Sequence, residues 1–228
     1  MLELYIGNKN YSSWSMRPWL AMRQTGIEFQ EKLLRLSFEN DSAFKRSMAS
    51  VSPAGRVPVL LDDGFPVWDT LAIAEYVAEK FPEKSLWPQD SKQRARARSL
   101  CAEMHSGFSA LRTHCPMNIE ASLAEVGARL LREQPEVGRD LQRIVEMWTQ
   151  QLQASGGPLL FGGFSNADAY FAPVTWRITA YALPVTPEVS RYIAAVHALP
   201  AMSEWADAAR AEHDFLDFDE PYRKSAAE

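Results

Sequence analysis

The stretch Ser52–Tyr76, SPAGRVPVLLDDGFPVWDTLAIAEY, constrains the fold more than any other part of the chain. Two short apolar runs flank Asp62-Asp63-Gly64, whose aspartate and glycine accept the backbone angles of a tight β-hairpin turn. Val57-Pro58 stands at the mouth of the first run. A proline gives no ladder hydrogen bond, so this one belongs at a strand start, on an edge, or in a cis peptide. After the second run, Trp68-Asp69-Thr70-Leu71 leads into Ala72, Ile73, Ala74, Tyr76, Val77 and Phe81, a pattern that predicts a helix. Asp69 and Thr70 fall at its start, where unpaired backbone N–H groups and the helix dipole favour an anion. An edge that can pair with a peptide backbone, beside a helix start that can hold a carboxylate, suits a small anionic peptide. The plainer reading is a hairpin followed by a capped helix with no ligand.

Upstream, Leu2–Gly7 reads as a strand. Tyr11-Ser12-Ser13-Trp14-Ser15-Met16-Arg17-Pro18 leads into a helix, with serines as N-caps and Pro18 expected in the first turn. Gly26 ends that helix. Glu28–Leu34 predicts a second strand, and Phe44, Lys45 and Met48 a short helix. The order β-α-β-α-β-β-α is complete by Phe81, a thioredoxin-like layout. No CxxC pair stands in it, which excludes disulfide exchange by such a pair.

Residues 82–90, with Pro82, Trp87 and Pro88, are expected to link this 1–81 unit to an all-helical 91–228 domain. There Leu100, Met104, Phe108 and Leu111 form one stripe, Leu123, Leu130 and Leu131 a second, and Leu141, Ile144, Val145, Trp148 and Leu152 the clearest. Ser165-Asn166-Ala167-Asp168 has the spacing of a capping box at the start of a helix carrying Phe171, Val174, Ile178 and Tyr181. Two short helices follow over 189–199 and 202–210. Asp214–Glu220 should pack over the domain, and Lys224–Glu228 should fray.

Charge and composition remove several function classes. The 228 residues carry 24 Lys and Arg against 29 Asp and Glu, a net −5 that argues against a nucleic-acid binder. No apolar run approaches the ~20 residues of a membrane span, and the first residues hold no basic region or signal core. Cys101 and Cys115 suggest neither a disulfide framework nor a zinc site, and four scattered histidines show no metal-ligand spacing. A protein of the reducing cytoplasm, without metal, is the expectation.

The order Val-Pro, strand, Asp-Gly turn, strand, polar pair, helix resembles the glutathione-binding half of a cytosolic glutathione transferase. Ser12-Ser13-Trp14-Ser15-Met16-Arg17 is most similar to the zeta-class stretch Ser-Ser-Cys-Ser-x-Arg. The resemblance covers almost the whole chain, most strongly at residues 11–17, 55–76 and 162–168. It implies that the Val57-Pro58 backbone pairs with the cysteinyl part of glutathione. Asp69-Thr70, in place of the usual Glu-Ser or Asp-Ser, holds its γ-glutamyl end. The resemblance also places thiol activation on Ser12, with Ser13 one residue nearer the helix as the other candidate, and it implies a two-fold homodimer. Trp14 replaces the zeta-class cysteine, which puts maleylacetoacetate isomerase activity in question, and the absence of a nearby cysteine removes covalent glutathione chemistry.

Little is required of the activating group. A free thiol ionises near ~8.5, and lowering that by ~2 units takes about 2.7 kcal/mol. A hydroxyl bond to a charged group supplies ~1.5–3 kcal/mol, and a helix N-terminus adds ~0.3–1. Arg17 would help if it faced the site. Arg56 is the candidate for the glycyl carboxylate. Tyr11, Trp14, Met104, His105 and Phe108 are the expected wall of a pocket for a hydrophobic electrophile, lying between the two domains. A glutathione-dependent isomerase or dehalogenase, or a glutathione-binding scaffold without catalysis, are the competing functions. The serines as helix caps alone are the competing role.

Overall fold

The computed structural model describes residues 1–225. Strands β1 (Leu2–Ile6), β2 (Gln30–Leu33), β3 (Val59–Asp62) and β4 (Phe65–Val67) form one mixed sheet in the order β2-β1-β3-β4. β1 runs parallel to β2 and antiparallel to β3, which pairs antiparallel with β4. Helices α1 (Ser13–Gln24), α2 (Ala43–Val51) and α3 (Thr70–Lys80) complete the thioredoxin-like order. Asp63 and Gly64 both take positive φ, 48° and 85°, as a two-residue I′ hairpin turn requires. The Val57–Pro58 peptide is cis and precedes β3, so the proline stands outside the ladder.

The period-two pattern of β1 divides two cores. Leu2, Leu4 and Ile6 face the main core with Ile73, Ala74 and Val77 of α3. Tyr5 turns to the other face, where Phe44 and Met48 of α2 pack on Val59. α1 lies between the sheet and the helices that follow, and eight consecutive residues of it, Ser15–Met22, are buried.

After residue 90 come α4 (Ser91–Ser106), α5 (Ser109–His114), α6 (Ala124–Glu133), α7 (Pro135–Ser155), α8 (Asn166–Ala180), α9 (Pro187–His197) and α10 (Pro200–Ala211). A 3₁₀ turn at Asp217–Asp219 follows them. Of the segment expected to fray, Ala226–Glu228 lie outside the described residues. α8 is the hub: every residue in it except Thr179 is buried. Its start is fixed by Asp168, whose carboxylate accepts from Leu160 N (3.1 Å), Ser165 N (3.0 Å) and Ser165 Oγ (3.1 Å).

Burial pushes the Asp168 carboxyl up to about 6. Asp168→Ala strands two buried N–H groups and should lower stability by about 3 kcal/mol or more in denaturant unfolding. A folded pKa above the unfolded one means that this group's own contribution is full in acid and is lost as pH rises through about 6. The penalty for the substitution should therefore be larger at about pH 5 than at about pH 8.

Two expectations change. Pro18 is not in a first turn: the chain becomes helical at Ser13, directly after Ser12, so Pro18 is the sixth residue of α1. Its missing N–H leaves the Trp14 carbonyl without the usual intrahelical partner. The stripe Leu100–Leu111 is two helices, because α4 stops at Ser106 and Phe108 takes φ 56° before α5. A Cβ at Gly107 would meet the Glu103 carbonyl oxygen at 2.7 Å, so the chain can turn there only with glycine. The connecting stretch after Phe81 is tied to α8. It holds a 3₁₀ turn at Pro82–Lys84, buries Leu86 and Trp87, and the Leu86 carbonyl accepts from Asn166 N at the start of α8 (2.8 Å).

Candidate active site

Two adjoining clefts, of about 730 and 370 Å³, open where the start of α1 meets the approach to β3 and the helices α4 and α5. Trp14, Arg56, Val57 and Arg112 border both. Ser12 and Ser13 line the larger one, with Tyr11, Phe38 and Met117. Pro58, Trp68, Asp69, Thr70 and His105 line the smaller. Residues far apart in sequence, 12–14, 56–58 and 69–70, thus meet at one place.

The serines are differently engaged. Ser12 is the N-cap of α1, but its hydroxyl caps no backbone N–H. It donates instead to Ser15 Oγ (2.7 Å), which accepts from Gly7 N (3.1 Å). Ser13 Oγ accepts from Arg177 Nη2 (3.2 Å). A hydroxyl has one proton, so Ser13 keeps its own for a ligand, whereas Ser12 frees its proton when Ser15 becomes the donor of their pair. Tyr11 is no rival to them. Its hydroxyl donates to Glu220 Oε1 (2.8 Å) and the Asp214 carbonyl (3.1 Å), and burial with that carboxylate pushes its pKa up.

Asp69 is the N-cap of α3: Oδ1 accepts from Leu71 N (3.0 Å), and Oδ2 meets His105 Nε2 at 3.2 Å. Its side chain remains 56% exposed, toward the smaller cleft. The Thr70 hydroxyl, by contrast, is buried, accepting from Tyr170 OH (3.0 Å) and lying 3.5 Å from His105 Nδ1. What Thr70 can offer a ligand is its backbone N–H at the helix start.

Arg17 does not face either cleft. Its guanidinium is buried between the rings of Trp14 (4.2 Å) and Tyr170 (4.9 Å), with Nε and Nη1 unpartnered among the described residues. Burial lowers its pKa to about 10. Arg112 covers Trp14 as well (4.8 Å), so the indole is held between two cations and forms the partition between the clefts. Met104 and Phe108 are in the core and line neither cleft. His105 lines the smaller cleft and not the larger. Cys101 and Cys115 are buried, and burial pushes both thiols up.

Two of the charges in the larger cleft, Arg112 and Arg177, were not anticipated from the sequence. Among the described residues, Lys45, Arg56, Arg112 and Arg177 line it against a single acid, Asp219, which burial pushes up to about 6. Arg177 is fully enclosed, and burial lowers it to about 10; it also donates to the Cys115 carbonyl. A lone arginine inside the apolar run Phe171–Tyr181 was the available signal, because such a charge is rarely buried without a task. Arg112 had no comparable mark.

Residues 11–80 match the family model described as glutathione S-transferase, N-terminal domain. Over 178 residues the chain is 31% identical to a probable maleylacetoacetate isomerase 1 of Drosophila melanogaster, covering 77% of this chain and 68% of that one. It is 25% identical over 213 residues to a maleylacetoacetate isomerase of Pseudomonas aeruginosa, covering 89% and 94%. A crystal structure of a glutathione transferase homologue from Burkholderia GL BGR1, with bound glutathione, superposes with a TM-score of 0.70 at 24% identity, over 92% of this chain and 98% of that one. The chain belongs to the cytosolic glutathione transferase superfamily of enzymes. Within that superfamily its likeness is to the zeta class.

Proposed function

We propose that the protein binds glutathione in the smaller cleft and adds its thiolate, stabilised by the serines at the start of α1, to an electrophile in the larger one. The observation that carries this reading is the meeting of Ser12 and Ser13 with Val57-Pro58 and Asp69 across one partition, Trp14. The γ-glutamyl ammonium is assigned to the Asp69 carboxylate, and its carboxylate to the N–H groups opening α3. The cysteinyl backbone is assigned to Val57, and the glycyl carboxylate to the exposed Arg56. Ser12 then donates a hydrogen bond to the thiolate, while Ser15 becomes the donor within the serine pair. Residues 1–81 act as the glutathione-binding domain, 82–90 as the connection and 91–228 as the acceptor domain, in a cytoplasmic setting. With saturating glutathione, a generic aromatic halide should be converted to its thioether. No conversion with any acceptor would sink the reading.

The cationic wall favours a second reading, an isomerase or dehalogenase acting on a carboxylate-bearing acceptor. Arg112 and Arg177 lie on the side of the serines. Among acceptors of matched reactivity, those carrying a carboxylate should react faster than neutral ones, and the advantage should shrink with added salt. Equal rates for both classes would leave only the apolar wall to select the acceptor.

The functional unit is proposed to be a two-fold homodimer, the commonest oligomer symmetry. Light scattering should give twice 25.7 kDa at micromolar concentration, and a 25.7 kDa particle would contradict this.

A further inference from the structure

His105 is the one imidazole on the smaller cleft, and its contacts fix both what it donates and what it accepts. Tyr170 OH donates to Thr70 Oγ1 (3.0 Å), which leaves the Thr70 proton to go to the other near acceptor, His105 Nδ1, at 3.5 Å. With Nδ1 as acceptor, the ring proton is on Nε2, and Nε2 stands 3.2 Å from Asp69 Oδ2. The second carboxylate oxygen, Oδ1, is held by Leu71 N. The ring is braced edge-on by Trp14 at 5.0 Å. Burial lowers the His105 pKa, aided by Arg17 and Arg112 and opposed by Asp69, so the neutral form is the one present near neutral pH.

We propose that His105 is a positioning residue of the γ-glutamyl site: its Nε2–H holds the Asp69 carboxylate in the orientation that receives the ligand's ammonium. The inference rests on the assignment of glutathione to the smaller cleft. A carboxylate on a helix N-cap is tethered by one oxygen only. The series Tyr170–Thr70–His105, buried except for its half-buried histidine, tethers the other, so the carboxylate meets the ammonium without losing rotamer freedom on binding. Because the histidine is neutral, it orients the acid without cancelling its charge. This also gives a task to the Thr70 hydroxyl, which is too deeply buried to touch a ligand.

The test compares glutathione with its des-amino analogue, glutaryl-cysteinyl-glycine, on otherwise unchanged protein by calorimetry. His105→Ala should weaken glutathione about five- to tenfold and leave the analogue unaffected, since the analogue has no ammonium for Asp69 to receive. His105→Gln, whose amide can reach Asp69 Oδ2, should restore most of the affinity. In an Asp69→Ala background, His105→Ala should add almost nothing. Equal losses for both ligands, or failure of Gln to rescue, would make His105 a general wall residue and overturn the proposal. If Asp69→Ala weakens glutathione while His105→Ala does not, the inference falls and the γ-glutamyl assignment stands. If Asp69→Ala has no effect either, the assignment falls with it.

Discussion

Asp69→Ala should weaken glutathione binding by about 10- to 100-fold, the span expected for losing a hydrogen bond to a charged partner. The carboxylate faces the smaller cleft at the start of α3, and no other acid lines that cleft among the described residues. The substitution also removes the helix cap on Leu71 N, a loss of ~1 kcal/mol to the fold. Asp69→Asn separates the two effects, because an asparagine oxygen still caps the helix but carries no charge. Most of the lost affinity should therefore persist in Asp69→Asn, with thermal stability restored. Retention of Asp69→Ala on immobilised glutathione as strong as the parent's would show that the γ-glutamyl end lies elsewhere.

The second large effect is on the thiol. Ser12→Ala should raise the pKa of bound glutathione toward its free value, with affinity nearly intact, because the hydroxyl acts on the anion while Val57, Asp69 and the start of α3 supply most of the binding. A rise from about 6.5 to about 8.5 lowers the thiolate fraction at pH 7 roughly 25-fold, and the deficit should shrink toward about pH 9, where the thiolate forms unaided. Ser13→Ala is the comparison. It leaves the Arg177 guanidinium one acceptor short and should shift the thiol less. If Ser13→Ala gives the larger shift, the activating role passes to Ser13, whose proton is already free of protein partners.

The hairpin and its helix were legible because local chemistry dictates them. Asp63-Gly64 has one comfortable turn to make, and Asp69 before an apolar helical run is a cap whatever surrounds it. The break at Gly107 was not legible, since Leu100, Met104, Phe108 and Leu111 keep helical spacing across it. Only the clash of a Cβ with the Glu103 carbonyl shows why the chain turns. Arg17 was a site candidate through the resemblance of Ser12–Arg17 to the zeta-class stretch, but a helix turns by ~100° per residue, and the resulting face points at Tyr170. Arg177 reaches Ser13 across 164 residues of sequence, a contact that depends on how α8 threads beneath α1. His105 was placed on the right helix, but spacing alone gives the helix face and not the neighbour it meets, here Asp69 on the smaller cleft.

Absorbance of the thiolate near the ultraviolet edge, titrated against pH on the complex of glutathione with the unmodified protein, tests the central claim most directly. The account predicts that bound glutathione ionises about two units below its free value of about 8.5, so that the thiolate predominates at neutral pH. A bound thiol that still ionises near its free value would contradict it, leaving Ser12 and Ser13 as the start of a helix and nothing more.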